Sequence, residues 1–546
     1  MSQFRIALIG AVIAVAVTVG AVSASIDATP AKTVRIAIPG YENNITPYGI
    51  TFRSGRTIDL INLVYDTLFY SPWQEDPEPW LAESATVSKD KKTWTIKIRK
   101  GIKWSDGQPL TAEDVRFTYY YFFKTEQGLF SHHVNDLPYV YRFRVIKPDT
   151  VRFVCREACP TFDIDPGAHI PIIPKHIWAS ITQPNTFTKE LPVGTGPYRL
   201  VENVRDQFYR FESNKTYFKG RPLVDEIVMP IIPDSSAMFL ALRAGQVDTV
   251  TRVVPPEIID DLRKAGLKVS LIRDFGSVQI NFNTQRPPLN RQRLRRAMNL
   301  GVNTAQITQT LLQDRGKPGV ESFLDPDSPY ADKSLKHVYD PVAAGKLLDQ
   351  LGYQDRNSDG IREDDSGKAL EFEVLVSSIE AREVRATELV ADQLKQIGVK
   401  IRVTPLDPVT LNARRQPPNA GKVRVPETTK TGNYDMYVTS YLGGHTHFDP
   451  DGLLYFLHCP GKTGFGAYIT GYCNKTFDSL VEQAAGLPSS ERKPFLIRAQ
   501  KVLFQDPPFI SLYFPDGTYA HRPAAYSGWI PTTGHGLLHK RSFLPR

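Results

Sequence analysis

Between residues 226 and 403 the chain alternates short, β-branched apolar runs with capped helical segments, and this alternation restricts the fold more than any other feature. Residues 226–232 read as a strand. Asp234 or Ser235 caps a helix through 237–244, Gly245 stops it, and 247–250 return as a strand. Residues 278–283 form the next strand, followed by a helix over 290–301 that carries Leu294, Ala297 and Met298. Pro341, with Asp340 as its cap, opens a helix that runs to Leu351 and stops at Gly352. A strand at 370–376 then leads into a helix with Ala386, Leu389, Val390, Leu394 and Ile397 on one face. Gly398 ends that helix, and 399–403 alternate as a strand. The alternation predicts an α/β layered architecture, and no internal repeat accompanies it.

Outside this region the same reading finds a strand at 33–38 and helical spacing over 58–70, with Leu60, Val64 and Leu68 on one face. It also finds a hairpin over 141–154 around Pro148-Asp149. Residues 414–432 read as an exposed polar loop, and the chain is helical from Thr476 to about Phe504. A chain of 546 residues with 41% hydrophobic content can fill several domains and bury a large core. The net charge of +8 is spread among acidic residues. The densest basic run, RQRLRR at 291–296, has no nucleic-acid motif beside it and reads as a solvated helix face.

Arg5, an apolar run over 6–22 and Val22-Ser23-Ala24 have the layout of a secretory signal peptide cut after Ala24. In an oxidising compartment the four cysteines read as two local pairs, Cys155 with Cys159 and Cys459 with Cys473. There is no nucleophile elbow, HExxH, CxxC, P-loop or kinase loop, so nothing points to catalysis, and no cofactor is expected.

Residues 91–117, KKTWTIKIRKGIKWSDGQPLTAEDVRF, read as an alternating strand, an Asp106-Gly107 turn and a helix capped by Thr111 and Asp114. Leu110 and Val115 flank that cap as a hydrophobic staple. As a string the stretch resembles the signature of the family 5 extracellular solute-binding proteins, the peptide, opine, oligosaccharide and nickel receptors of ABC importers. Gly194-Thr195-Gly196-Pro197-Tyr198, residues 234–248 and the Asp449-Pro450-Asp451 triplet are similar to stretches of that family. The two glycines of the first of these complete neither a Walker pattern nor GxGxxG, and read as a tight turn.

The resemblance implies a two-lobed periplasmic-binding-protein-like fold of class II type, with an extra inserted α/β domain. It implies a first lobe from 25–64, 201–289 and 481–546, an inserted domain over 65–200, and a second lobe over 290–480, after the 1–24 signal peptide. The chain is then expected to be a monomer in the periplasm. It would bind a small ligand, an oligopeptide or peptide-like compound, and deliver it to an ABC permease in the inner membrane, with no nucleic-acid partner. The alternatives are an opine, oligosaccharide or metal-complex receptor of the same class, or a secreted hydrolase.

The expected ligand-binding residues are Tyr41, Arg382, Tyr441, His445, Thr446, His447 and Asp449. Peptide-binding members place an acid in the loop between the Tyr441 strand and the Asp-Pro-Asp triplet. Here that loop, LGGHTHF at 442–448, has none. Arg382 or Arg385 stands where the family has a cation for a ligand carboxylate. His445, His447, Asp449 and Asp451, with His458 and Cys459 beyond, form a donor set suited to a transition ion, but alternate histidines on a strand face opposite ways. Residues 355–360, DRNSDG, resemble the opening of a calcium loop, yet position twelve is Ser366 where an EF-hand needs a bidentate Glu. No metal site is therefore expected.

Overall fold

The β-branched runs become strands of two main sheets with different cores. A computed structural model describes residues 32–40, 45–48, 57–71, 77–125, 134, 140–184, 187, 191–272, 275–416, 431–441, 453, 456–459, 470–533 and 536–546. The first sheet has the order β12 (Lys268–Ile272), β19 (Gly517–His521), β11 (Thr249–Val250), β1 (Thr33–Ala37), β10 (Glu226–Pro230), β9 (Phe208–Ser213) and β8 (Tyr198–Val204). Its centre is parallel, with β1 between β10 and β11. The second sheet has the order β14 (Gly316–Pro318), β18 (Phe509–Pro515), β13 (Ser277–Phe282), β17 (Met436–Tyr441), β15 (Glu371–Ser377) and β16 (Lys400–Leu406). There β15 runs parallel to both β16 and β17. The helices Ser235–Ala244 and Ile259–Lys264 cover one face of the first sheet. Gln292–Leu300, Thr304–Leu312, Pro341–Gln350 and Ala381–Lys395 pack on the second. This is the mixed α/β layering that the alternation predicts.

The chain passes from one sheet to the other twice, between β12 and β13 and between β18 and β19, where only Asp516 intervenes. Among the described residues no buried cluster joins the strands of the two sheets into one core: Val34, Ile36 and Ile227 belong to one, and Ile280, Val374 and Met436 to another. Two short crossings between separately packed bodies are the construction of a hinge.

A smaller sheet, β4 (Ala82–Val87), β5 (Thr93–Ile98), β7 (Thr150–Cys155) and β6 (Val140–Lys147), leans on the first body and shares its core. In β5 the alternation holds, with Trp94, Ile96 and Ile98 buried. The helix Ala112–Lys124 begins with the expected reciprocal cap: Asp114 N–H donates to Thr111 Oγ1, and Thr111 N–H donates to Asp114 Oδ2 at 2.8 Å. A two-stranded ribbon, β2 (Phe69–Tyr70) with β3 (Glu78–Pro79), completes this side.

Four expectations need correction. The helix that begins at Thr57 ends at Val64, well short of Tyr70. Its end is fixed by Gly196, whose N–H donates to the Val64 carbonyl at 2.8 Å, and by Asp66, which turns inward. Gly194 and Gly196 therefore do more than make a turn. A Cβ on either would lie 1.9 Å from Val64 O or 2.4 Å from Leu63 O, so they let one backbone cross another. The helix expected over 476–504 is two, Lys475–Ala485 and Lys493–Gln505, divided by Pro488 and a 3₁₀ turn. Nor is the 291–296 run simply a solvated face. Arg295 is buried, paired with Asp506 and donating to the carbonyls of Pro507 and Leu289, and Arg296 caps Phe504 O.

Both cysteine pairs are disulfides, Cys155 to Cys159 and Cys459 to Cys473. Among the described residues no helix is long and apolar enough to cross a membrane.

Candidate functional site

Parallel strands in open α/β sheets carry ligand sites beyond their carboxyl ends. The carboxyl end of β11 continues into Thr251 and Arg252, and that of β15 into Glu380 and the helix Ala381–Lys395. These two ends meet. Arg252 Nη1 lies 3.5 Å from Glu380 Oε1, an ion pair linking the first sheet's side to the second's. The carboxyl end of β17 arrives at the same place, since Tyr441 is paired with Ser277, the first residue after the crossing from β12.

Glu383, in the first turn of Ala381–Lys395, is buried behind this ion pair. Burial, reinforced by the negative charge of Glu380, pushes its pKa up to about 8 against the opposing pull of Ser440, Arg382 and Arg252. At neutral pH it is therefore mostly protonated. Among the described residues its Oε1 has no hydrogen-bond partner, and neither has Arg252 Nε. Tyr513 of β18 faces the same group. Burial, then the Glu383 charge, raises its hydroxyl pKa far above the ordinary tyrosine value. Buried polar atoms of both kinds without partners, at the junction of two bodies, are what a polar ligand requires of its receptor.

Of the expected ligand-binding residues, Arg382 is half-buried here, close enough to Glu383 and Tyr513 to influence both charges. Arg385 faces solvent and pairs with Glu388 at 2.9 Å. Tyr441 ends β17 at the crossing, though its side chain is outside the described residues. Tyr41, His445, Thr446, His447 and Asp449 also lie outside them. Tyr41 falls four residues beyond the carboxyl end of β1, and His445 four beyond that of β17. Sequence reasoning missed Arg252, Glu380, Glu383 and Tyr513. For Arg252 the available signal was position, a charged residue just past the carboxyl end of the strand predicted at 247–250; the other three had none.

Among the described residues His458 belongs to no group of metal donors. Its Nε2 lies 2.8 Å from Glu482 Oε1, and its Nδ1 lies 2.9 Å from the Cys459 carbonyl. Cys459 and Cys473 approach Asp478, but their sulfurs are bonded to each other, so no thiolate is offered. A cavity of about 740 Å³ is built from the helix Pro408–Arg415 and the chain entering β17, not from the crossings.

Two bodies joined by two short crossings, with unsatisfied polar groups where their strand ends meet, define a two-lobed binding protein. The chain belongs to the bacterial extracellular solute-binding proteins of family 5, whose model matches residues 76–464. The oligopeptide-binding protein AppA of Bacillus subtilis is 26% identical over 478 residues, covering 85% of this chain and 82% of its own length. Heme-binding protein A of Haemophilus influenzae is 26% identical, covering 82% of this chain and 81% of its own. The solved structure of the Bacillus subtilis AppA, in complex with a nonapeptide, superposes with a TM-score of 0.79 at 22% identity. That superposition covers 94% of this chain and 99% of the other.

Proposed function

We propose that the chain is the ligand-capturing component of an ABC importer, gripping a peptide or peptide-like compound between its two lobes and passing it intact to an inner-membrane permease. The observation that carries this reading is the meeting of the β11 and β15 ends through Arg252 and Glu380 beside the two crossings. Rotation about the crossings opens and closes that junction, and closure around a guest excludes water from its polar groups. Glu383, Arg252 and Arg382 supply polar contacts. Tyr41, Tyr441, His445, Thr446, His447 and Asp449 supply the remaining walls. Binding is the whole chemistry, with transport energy coming from a separate ATPase.

The same reading carries the rest of the organisation. Because β13 and β18 lie in the second sheet, the expected bounds at 289 and 481 move to the crossings: the first lobe takes 25–64, 201–272 and 517–546, the inserted domain 65–200 and the second lobe 277–515. Residues 1–24 direct secretion and are removed, and the mature chain works as a periplasmic monomer. An opine, heme-like or other non-peptide guest is the second reading, favoured by the absence of an acid in the 442–448 loop.

A thermal-shift screen of the full mature chain against di-, tri- and longer peptides, opines and heme tests the reading. A guest at 100-fold its Kd stabilises the fold by about 2.7 kcal/mol. Saturable stabilisation by peptides supports it. Stabilisation confined to non-peptide guests selects the second reading, and hydrolysis of added peptide by the purified chain contradicts both.

A further inference from the structure

We propose that the turn at the end of the 341–352 segment is a calcium site formed by Asp355, Asp359 and Glu363. An EF-hand-type loop that starts at Asp355 has Ser366 at position twelve, where a carboxylate is needed. The structure closes the loop earlier. Gln354 and Glu363 exchange both backbone hydrogen bonds, at 3.0 and 2.8 Å, and this brings the Glu363 side chain back over the turn. Position nine therefore delivers the acid that position twelve lacks.

The carboxylates of Asp355, Asp359 and Glu363 each bring one oxygen to within 4.8 Å of the others. Calcium holds oxygens at about 2.3–2.6 Å, so its ligands lie no more than about 5.2 Å apart. The second observation is at Glu363 itself. The residue is only 4% exposed. Its Oε2 accepts from Arg356 N–H at 2.8 Å, and its Oε1 has no hydrogen-bond partner. A buried carboxylate oxygen without a donor is costly unless a cation stands beside it.

Protein cations do not fill that role. Arg356 pairs with Asp365 at 2.6 Å and Arg362 with Asp349 at 2.5 Å. Among the described residues no lysine, arginine or histidine nitrogen pairs with Asp355, Asp359 or Glu363. The three carboxylates, two exposed and one buried, have no counter-charge among the described residues. Asp355 Oδ2 accepts from Gly360 N–H at 2.9 Å, and Asp359 accepts from Ile361 N–H at 2.7 Å and Asn357 Nδ2 at 3.1 Å, all neutral donors, which leaves an all-oxygen donor set. Such a set suits a hard divalent cation, and a flexible one suits calcium over magnesium, which demands near-ideal octahedral geometry. The bound ion would fasten this turn to the second lobe, where Arg362 N–H already donates to Gly398 O at 2.8 Å.

The test is calcium titration of the chelator-stripped full chain, followed by calorimetry and by the unfolding midpoint, beside Glu363→Gln and Asp359→Asn. Asp359 is exposed, so its variant folds even if the buried substitution does not. The expected result is saturable binding of one calcium per chain with Kd on the order of 10⁻⁴ to 10⁻³ M, the range of extracellular sites. It is accompanied by a rise in midpoint, and affinity falls at least about tenfold in either variant. No saturable heat up to about 10 mM calcium overturns the site. So does unchanged affinity in Asp359→Asn, and magnesium binding as tight as calcium overturns the assignment of the ion.

Discussion

Asp66 shows how much of the first body depends on one residue. Its Oδ1 accepts from Trp80 Nε1 at 2.8 Å, Tyr217 OH at 2.7 Å and Lys540 Nζ at 2.7 Å, while its Oδ2 accepts from Thr195 Oγ1 at 2.9 Å. Both members of the Asp66–Lys540 ion pair are almost fully buried. Removing one partner of such a pair leaves an uncompensated charge and costs about 3–5 kcal/mol. Lys540→Met is expected to lose that much in urea unfolding, and a loss below about 1 kcal/mol would mean that the network is not as tightly closed as its distances imply. Glu383 sets a pH dependence. Its pKa is about 8 when folded against an ordinary 4.5, so the folded chain binds the proton more tightly than the unfolded chain does. Its contribution to stability is full below pH 4.5 and is lost as pH rises toward 8. Across that window the change amounts to roughly 3–6 kcal/mol, and Glu383→Gln should remove it. Equal slopes of unfolding free energy against pH in the parent and the variant would contradict this.

The capped helix Ala112–Lys124 gives a prediction at the scale of elements. Thr111 holds the Asp114 N–H, and Asp114 Oδ1 also accepts from Lys175 N–H at 3.0 Å, so the cap fastens a second segment. Thr111→Ala is expected to cost about 1 kcal/mol. Thr111→Ser, which restores the acceptor, should recover most of it, and no recovery would place the effect elsewhere. Elements of this kind were legible in the chain's own pattern. Cap residues, glycine stops and strand alternation act within a few residues, and so β5, the Asp234-capped helix and the β6–β7 hairpin appear where they are expected. What depended on distant partners was not legible. Nothing near Tyr65 announces that Gly196 will cross the end of its helix, and nothing near Arg295 announces Asp506, more than two hundred residues away. At the candidate site the strand ends were readable, but the convergence of Arg252, Glu380 and Glu383 is a product of the two crossings and has no local signature.

For the whole molecule, the Arg252–Glu380 pair is the contact between the two bodies that binding should favour. Arg252→Ala is expected to weaken ligand affinity by about fivefold to tenfold, the effect of roughly 1–1.4 kcal/mol. The unfolding midpoint without ligand should be little changed. A fall in that midpoint with unchanged affinity would make Arg252 a folding residue only. The family membership, the two crossings and the meeting of strand ends all agree with the proposed receptor, which closes on a guest and releases it unaltered. Native mass spectrometry of the mature chain mixed with a pool of oligopeptides tests that description most directly. It should show one intact peptide per chain, displaced by a competing peptide. Peptides cut by the chain would contradict it, and a chain that stays unliganded across the whole pool would contradict the peptide as its guest.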